Sequence, residues 1–316
     1  MELQQLRYVL AVAETNSFTR AAERCLVVQS ALSHQIAKLE RELGAPLFER
    51  TSRRVRLTPA GAAFLPAARQ CLAAAERAGA EVAAAIGEVR GRLAVGLIPT
   101  VAAVDLPAAL GAFRARHPAV RISLRVGASE DLAEQVEQGA LDVAFLGMPT
   151  TVRPRGVAVH ELARDRLVAV VAPGHRLASA GEVDLRALAE EVFVDLPAGT
   201  AGRVQSDLAF AAAGLTRDVA FEVTTADYIA RLVAADLCVA MLPRAHAPQL
   251  VGVRTIEVTD APTRVEYAVW SRTGRSPAAT ALLAALDIPT GTDSPTGTDG
   301  PADVGGAVGS ASLRPA

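Results

Sequence analysis

Lysine, cysteine and aromatic residues are all scarce in this sequence of 316 residues. Lys38 is the only lysine, so arginine carries almost all of the positive charge. Cys25, Cys71 and Cys238 are too far apart for a zinc site or a dense disulfide framework, and we expect buried thiols in a reducing compartment. The 51% hydrophobic and 21% charged fractions exclude a disordered, collagen-like or purely coiled-coil chain.

Long apolar runs are absent as well. The chain contains no stretch of about 18 uninterrupted apolar residues, which argues against a membrane-spanning helix. The first residues, MELQQLRYVLAV, carry charges at positions 2 and 7 and lack a small-residue cleavage site, so we expect no secretory signal. The sequence therefore predicts a soluble, cytoplasmic protein.

Charge is distributed unevenly along the chain. Residues 1–58 contain nine bases and six acids, a net charge of +3, whereas the remainder contains 23 bases and 28 acids, a net charge of −5. A small basic module on a larger acidic body suggests that one part of the chain has an anionic partner.

The first 44 residues predict three short helices, over residues 3–14, 18–25 and 29–44. The buried stripe expected for the third helix consists of Leu32, Ile36, Leu39 and Leu43. Its opposite face is small, polar and basic, and consists of Ser30, His34, Ala37 and Arg41, flanked by Ser33 and Lys38. Such a face suits a helix that enters the DNA major groove, because short side chains allow close approach. An ordinary solvated face is the alternative.

The segment LFERTSRRVRLT after Gly44 predicts a hairpin crowded with arginine. The side chains expected at its tip are Arg50, Thr51, Ser52, Arg53, Arg54 and Arg56. Arginines mixed with hydroxyls are typical of a wing that contacts DNA phosphates. Together with the three helices, this order of elements predicts a winged helix-turn-helix.

Residues 59–90 predict one long Ala-rich helix. Its apolar positions recur in steps of three and four, as in a coiled-coil seam: Leu65, Ala68, Leu72, Ala75, Gly79, Val82, Ile86 and Val89. A second copy of the helix is the simplest partner, so we expect dimerisation. Because several seam residues are small, a helix that lies on its own domain remains the alternative.

Strands and helices alternate from residue 91 onward. The first strands and helices form a βαβαβ unit, which predicts a parallel sheet with right-handed crossovers. We expect a region over 91–288 with two α/β subdomains, the first over about 91–160 and 265–288 and the second over about 161–264. The Gly-, Pro- and Thr-rich tail over 289–316 is expected to be disordered.

Catalytic and phosphate-binding motifs are missing from the globular region, including G-x-G-x-x-G, the P-loop, H-E-x-x-H and G-x-S-x-G. His160 and Glu161 are expected in a loop or at a strand end. The sequence therefore predicts no catalytic residue, metal site or cofactor. A solute-binding protein and an α/β ligand-binding or enzyme domain with an appended helical module remain as alternatives.

The run FTRAAERCLVVQSALSHQIAKLERELGAPLFERTSRRVRLTPAG closely resembles the N-terminal signature of LysR-type transcriptional regulators. The resemblance implies an α/β protein with a winged helix-turn-helix over 1–58, a linker and dimerisation helix over 59–90, and a two-subdomain effector domain like that of periplasmic binding proteins. It also implies double-stranded DNA, a small-molecule effector and a second copy of the chain as partners, in a dimer or tetramer, with RNA polymerase as a further candidate.

By position, the resemblance implies base-reading or phosphate-contacting roles for two groups of residues. The first lies on the third helix and comprises Gln29, Ser30, Ser33 and His34, with Lys38 on its flank. The second lies in the wing and comprises Arg50, Arg53 and Arg54. Val28 stands where a capping Ser or Thr is usual, Ser30 where proline is common, and His34 where arginine is common. A histidine at position 34 predicts DNA affinity that depends on pH.

The resemblance also implies an effector pocket between the two subdomains. Its residues are Pro99, Thr100, Val101, Ser129, Gly147, Thr200, Ala201 and Thr225. Hydroxyls and backbone N–H groups at helix starts suit a carboxylate or another anion, although Ser129 and Thr200 could instead only cap helices. Arg203 is the candidate cation for such a ligand. Because Cys238 is the only cysteine in this region, we expect no intramolecular disulfide switch.

Overall fold

Three helices and a hairpin form the N-terminal module in the computed structural model, which describes residues 1–50, 55–272 and 274–289. The elements are α1 (Leu3–Thr15), α2 (Phe18–Arg24), α3 (Gln29–Leu43), β1 (Phe48–Arg50) and β2 (Val55–Leu57). Ser17 caps α2 by accepting a hydrogen bond from the backbone N–H of Arg20 at 3.3 Å. Gly44 ends α3 in the left-handed conformation at φ +71°. The predicted helices and hairpin are confirmed.

The core of this module is the apolar stripe of α3. Leu32, Ile36 and Leu39 are fully buried, whereas Leu43 is 42% exposed. Leu43 was therefore wrongly predicted as buried, because it is the last residue of α3 and lies past the packed part of the helix. The rings of Phe18 and Phe48 meet edge to face at 5.7 Å and join α2 to the hairpin.

The long helix α4 spans Pro59–Ala85. It begins where Thr58 accepts a hydrogen bond from the backbone N–H of Gly61 at 2.9 Å, with Pro59 in the first turn. It ends before the predicted seam residue Val89, because Gly87 turns the chain at φ +84°. The seam therefore has fewer helical positions than the periodicity predicts.

A βαβαβ unit follows, as predicted. It consists of β3 (Gly91–Leu97), α5 (Leu106–Arg116), β4 (Val120–Val126), α6 (Ser129–Glu137) and β5 (Val143–Pro149). Strand β3 pairs in parallel with both β4 and β5. The apolar core of this unit packs beneath the sheet and includes the buried side chains of Phe113 and Phe145.

The remaining elements complete the α/β region that follows α4, which we call the effector region after its predicted role. They are β6 (Ala158–Val171), β7 (Glu182–Val183), α7 (Leu185–Leu188), β8 (Val192–Asp195), α8 (Ala201–Ala212), β9 (Asp218–Glu222), α9 (Ala226–Ala234), β10 (Ala240–Pro243), β11 (Arg254–Val258), β12 (Thr263–Trp270) and α10 (Pro277–Ala285). In the main sheet the strand order is β4-β3-β5-β12-β6-β11-β7, and β10 also pairs with β6.

Strand β6 joins the two halves of the effector region. Its first half pairs with β12, and its second half pairs with β10 and β11. The boundary expected between residues 160 and 161 falls inside this strand. His160 and Glu161 lie in the strand rather than in a loop or at its end, and that prediction was wrong. The first half of β6 is only partly buried, so it lacks the apolar alternation that reveals a strand.

No helix in the described part of the chain is both long enough and apolar enough to cross a membrane. The predicted disordered tail lies outside the described residues from residue 290 onward.

Candidate functional site

The outer face of α3 presents short polar side chains to solvent. Gln29, Ser30 and His34 are exposed, and Ser33 is half-buried. The half-buried Lys38 places its Nζ atom 3.2 Å from Glu2 Oε1, in an ion pair at the surface. Such a surface pair contributes at most about 1 kcal/mol to stability, so Glu2 holds Lys38 only weakly.

The start of α3 lacks a side-chain cap. Val28 occupies the N-cap position in an extended conformation, and its side chain is 68% exposed. The Val28 carbonyl oxygen still accepts the first helical hydrogen bonds, from the N–H groups of Ala31 at 3.1 Å and Leu32 at 3.3 Å. The N–H groups at the start of the helix therefore donate no hydrogen bond to the N-cap side chain.

The carboxylate of Glu40 connects α3 to the start of the hairpin through hydrogen bonds. Glu40 Oε1 accepts hydrogen bonds from the backbone N–H groups of Leu47 at 2.8 Å and Phe48 at 3.2 Å. Strands β1 and β2 pair antiparallel, with Arg50 opposite Val55. Arg53, Arg54 and the side chain of Arg50 lie outside the described residues, so their predicted phosphate contacts stay predictions.

A buried ion pair lies where the loop after β3 meets β12. Arg264 and Glu266, on the same face of β12, are 4% and 2% exposed and hydrogen-bond to each other. Arg264 also donates from Nη1 to Thr100 Oγ1 and from Nη2 to the Thr100 carbonyl oxygen, both at 2.8 Å. Burial lowers the pKa of Arg264, while Glu266 opposes this shift.

The carboxylate of Glu266 holds the same loop from the other side. Its Oε2 atom accepts hydrogen bonds from the backbone N–H groups of Ala102 at 3.1 Å and Ala103 at 3.0 Å. The loop that contains Thr100 and Val101 is therefore held in one position by β12. The hydrophobic periodicity of the sequence did not reveal the ion pair of Arg264 and Glu266. Two charged residues at alternate positions of the otherwise apolar strand TRVEYAVW were nevertheless a visible signal.

Ser129 and Gly147 complete this wall of the site. Ser129 Oγ donates to the Gly147 carbonyl oxygen at 2.9 Å and accepts from the Gly147 N–H at 3.2 Å. A Cβ atom on residue 147 would lie 3.0 Å from Arg264 Nη1, so Gly147 allows the guanidinium to approach the backbone. Ser129 does not cap α6, because the N-cap residue is Ala128.

His246 is a second buried polar group that the sequence did not reveal. It is 6% exposed, and its Nδ1 atom has no hydrogen-bond partner among the described residues. Burial lowers its pKa most and Arg264 adds to that effect, whereas a hydrogen bond with the Val101 backbone opposes it. His246 follows β10, so it links the second subdomain to the Val101 loop of the first.

The other predicted effector residues lie on α8 and α9. Thr200 is half-buried and donates from Oγ1 to the Pro197 carbonyl oxygen at 2.8 Å, Ala201 is buried, and Thr225 is exposed. Thr200 and Thr225 occupy N-cap positions, but neither side chain makes a capping hydrogen bond. Helix α8 packs against β5, the strand that carries Gly147.

Arg203, the candidate cation, is already engaged. It pairs with Asp207 at 3.0 Å and Glu222 at 3.2 Å, and its Nη1 atom donates to the Leu196 carbonyl oxygen at 3.3 Å. A ligand anion would have to displace these carboxylates. No group of three or more His, Cys, Asp or Glu side chains is placed to hold a metal ion in the described ranges.

Two family models match this chain. The model described as "Bacterial regulatory helix-turn-helix protein, lysR family" matches residues 3–62, and the model described as "LysR substrate binding domain" matches residues 87–287. The transcriptional dual regulator GltC of Bacillus subtilis is 34% identical over 82% of this chain and 86% of its own length. The RuBisCO operon transcriptional regulator of Allochromatium vinosum is 31% identical over 89% and 94% of the two chains.

Solved structures with the same fold include full-length regulators. CbnR complexed with its target DNA is 26% identical, with a TM-score of 0.65 over 91% of this chain and 99% of its own. A full-length OxyR variant from Pseudomonas aeruginosa is 26% identical, with a TM-score of 0.68 over 92% and 96% of the two chains.

Proposed function

This chain belongs to the LysR family of transcriptional regulators, which bind DNA and respond to effectors, and we propose which of its residues contact DNA and which bind the effector. The residues proposed to read base edges in the operator are Gln29, Ser30, Ser33 and His34. The observation that carries this proposal is the exposed, short and polar outer face of α3. Lys38 and the wing residues Arg50, Arg53 and Arg54 would contact phosphates, which position the module without reading sequence.

The effector would bind between the subdomains, against the loop that contains Thr100 and Val101. Arg264 is already neutralised there by Glu266, so the wall offers hydroxyl, backbone and imidazole groups rather than a free cation. The remaining predicted contacts are Pro99, Ser129, Gly147, Thr200, Ala201 and Thr225. We add His246 to these contacts, because its Nδ1 atom is buried without a hydrogen-bond partner among the described residues and can be satisfied by a polar group of a ligand.

Ligand binding would act by closing the two subdomains. A ligand shifts such an equilibrium only if it binds one arrangement more tightly than the other. His246 already contacts the Val101 backbone across the subdomains, so a ligand that bridges the same two loops would favour the closed arrangement. No catalytic step is proposed, and the place of action is the cytoplasm, where the chromosomal operator is found.

Footprinting across a salt series tests the DNA-binding proposal. We expect two protected half-sites on DNA upstream of the gene for this chain, with log affinity falling steeply with log salt. Gln29→Ala should cost about 1–3 kcal/mol of discrimination at one base position. Arg56→Ala, at an exposed position of β2, should weaken binding to all sequences and lower the salt slope by about 1.

The matched control is Arg116→Gln, an exposed arginine at the end of α5. It should leave both specificity and salt slope unchanged. An equal loss of affinity for operator and random DNA in Gln29→Ala would refute the assignment of α3 as the reading helix.

A further inference from the structure

A cavity of about 1170 Å³ lies between α4 and the first strands of the effector region. We call it the linker cavity. Five arginines line it: Arg77, Arg90, Arg92, Arg121 and Arg275. None of the effector residues proposed above lines it, and its volume lies somewhat above the range of about 300–1,000 Å³ that is typical of small-molecule sites.

Two of these arginines lie side by side on neighbouring strands. Arg92 on β3 and Arg121 on β4 are paired positions of the parallel ladder, both are exposed, and both line the linker cavity. Like charges at directly paired positions destabilise a sheet. Neither side chain forms a salt bridge with any residue in the described part of the chain.

A third guanidinium reaches the cavity from the opposite wall. Arg77 projects from α4, and its Nε atom would lie 3.4 Å from a Cβ atom on residue 274. Gly274 therefore allows Arg77 to lie close to the loop before α10. Arg77 also makes no salt bridge with the described residues.

The acids in the cavity wall do not neutralise this group. Asp142 is one of these acids, and its two oxygens accept hydrogen bonds from the Ala94 N–H at 2.7 Å and from Ser276 Oγ at 3.1 Å. Burial raises the pKa of Asp142, against the opposing pull of Arg92 and Arg77. One partly desolvated carboxylate thus interacts with two of the three arginines.

The other acids are directed elsewhere. Glu88 lies 3.9 Å from Arg90. The Glu137 carboxylate lies against Gly156, and the exposed Glu76 makes no salt bridge within the described ranges. Arg77, Arg92 and Arg121 therefore line the same cavity, and none of them forms a salt bridge with an acid in the described part of the chain.

We propose that the linker cavity binds a small multivalent anion, a phosphate group or a polycarboxylate, between Arg77, Arg92 and Arg121. Guanidinium groups bind the oxygens of such anions through paired, charge-assisted hydrogen bonds. An occupied site would join α4 to β3 and β4 and so hold the linker helix against the effector region. The site is separate from the cleft between the subdomains and does not depend on the effector proposal.

Thermal unfolding and calorimetric titration of the full-length protein test the proposal, without DNA. Inorganic phosphate and citrate are compared with chloride at equal pH and ionic strength. We expect saturable stabilisation by at least one of the two multivalent anions, because a ligand that binds only the folded state raises its stability. The two arms distinguish a phosphate site from a polycarboxylate site.

Arg121→Gln is the decisive variant, and Arg116→Gln is its control. In chloride, Arg121→Gln should unfold at a higher temperature than the wild type, because it removes the like-charge pair. It should also weaken anion binding by about tenfold or more through the loss of a charge-assisted hydrogen bond. Arg116→Gln should bind the anion as the wild type does.

Equal melting temperatures in all three salts would overturn the proposal, as would unchanged anion affinity in Arg121→Gln. A lower DNA salt slope in Arg121→Gln, without any binding of phosphate or citrate, would also overturn it and assign these arginines to the DNA backbone. Because the titration contains no DNA, its outcome is independent of the α3 assignment.

Discussion

At the scale of single residues, the start of α3 combines exposure with a missing cap. A serine or threonine hydroxyl would accept a hydrogen bond from one of the first helical N–H groups, and Val28 cannot. Because the Val28 side chain is 68% exposed, its burial contributes little to stability and does not offset the missing cap. The missing cap therefore lowers stability at the end of the helix that we propose contacts DNA.

Val28→Ser should raise the stability of the N-terminal module by about 1 kcal/mol, because the hydroxyl can satisfy one N–H group at the start of α3. Thermal unfolding, followed at the transition of this module, measures the change. Val28→Ala removes the same apolar surface without adding a cap, so it serves as the control. If serine and alanine gave the same stability, the missing cap would not be the cause.

At the scale of elements, α4 divides into two parts. Leu65 and Ala68, near its start, are buried within the chain, as expected if the helix lies on its own domain. Val82 and Ile86, near its end, are 70% and 80% exposed. Since LysR-family regulators are oligomeric, this exposed end of the seam is the part available to a second copy of the helix.

Ile86→Glu should therefore raise the dimer dissociation constant by about tenfold or more, because a charge would replace an apolar contact between helices. Light scattering over a concentration series measures the mass. Val251→Glu, at a residue that is 86% exposed in the second subdomain, is the matched control and should keep the wild-type mass. Dissociation by both variants, or by neither, would argue against this seam as the interface.

At the scale of the whole molecule, contacts from both subdomains meet at one loop. Thr100 is held by Arg264, and Ala102 and Ala103 are held by Glu266. Val101, between them, hydrogen-bonds to His246 of the second subdomain. Proton uptake by His246 would place a second positive charge near Arg264 in a buried site.

The stability of the protein should consequently fall as the pH decreases below about 6.5. Burial, aided by Arg264, lowers the pKa of folded His246 from its ordinary value of 6.5, so the unfolded chain binds the proton more readily. Uptake of one proton can change the free energy of unfolding by at most about 1.4 kcal/mol per pH unit. Melting temperatures at pH 7.5 and 5.5 measure it.

His246→Gln should flatten this pH dependence, whereas His160→Gln, on β6, should retain it. Glutamine keeps a side-chain donor for the Val101 backbone but takes up no proton. A pH dependence that is the same in the wild type and in His246→Gln would show that another group controls it.

Sequence periodicity was sufficient for the elements whose faces are clearly apolar or polar. The stripe of Leu32, Ile36 and Leu39 determined α3, and the alternation of β3, α5, β4, α6 and β5 determined the parallel unit. The first half of β6 could not be predicted, because its partner lies far away in the chain and its residues show no clean apolar alternation. Strand β11 was also missed, because its apolar alternation covers only its last three residues.

Local sequence patterns were sufficient to identify the family, the three-helix module and the polar outer face of α3, because these depend on residues close together in the chain. Only the tertiary structure placed Arg264 and Glu266 against Thr100, His246 against Val101, and Arg77 opposite Arg92 and Arg121. Each of these contacts joins segments that are far apart in the sequence. Whether their side chains are buried and which partners they have depends on which segments pack together, and a local sequence pattern does not specify that packing.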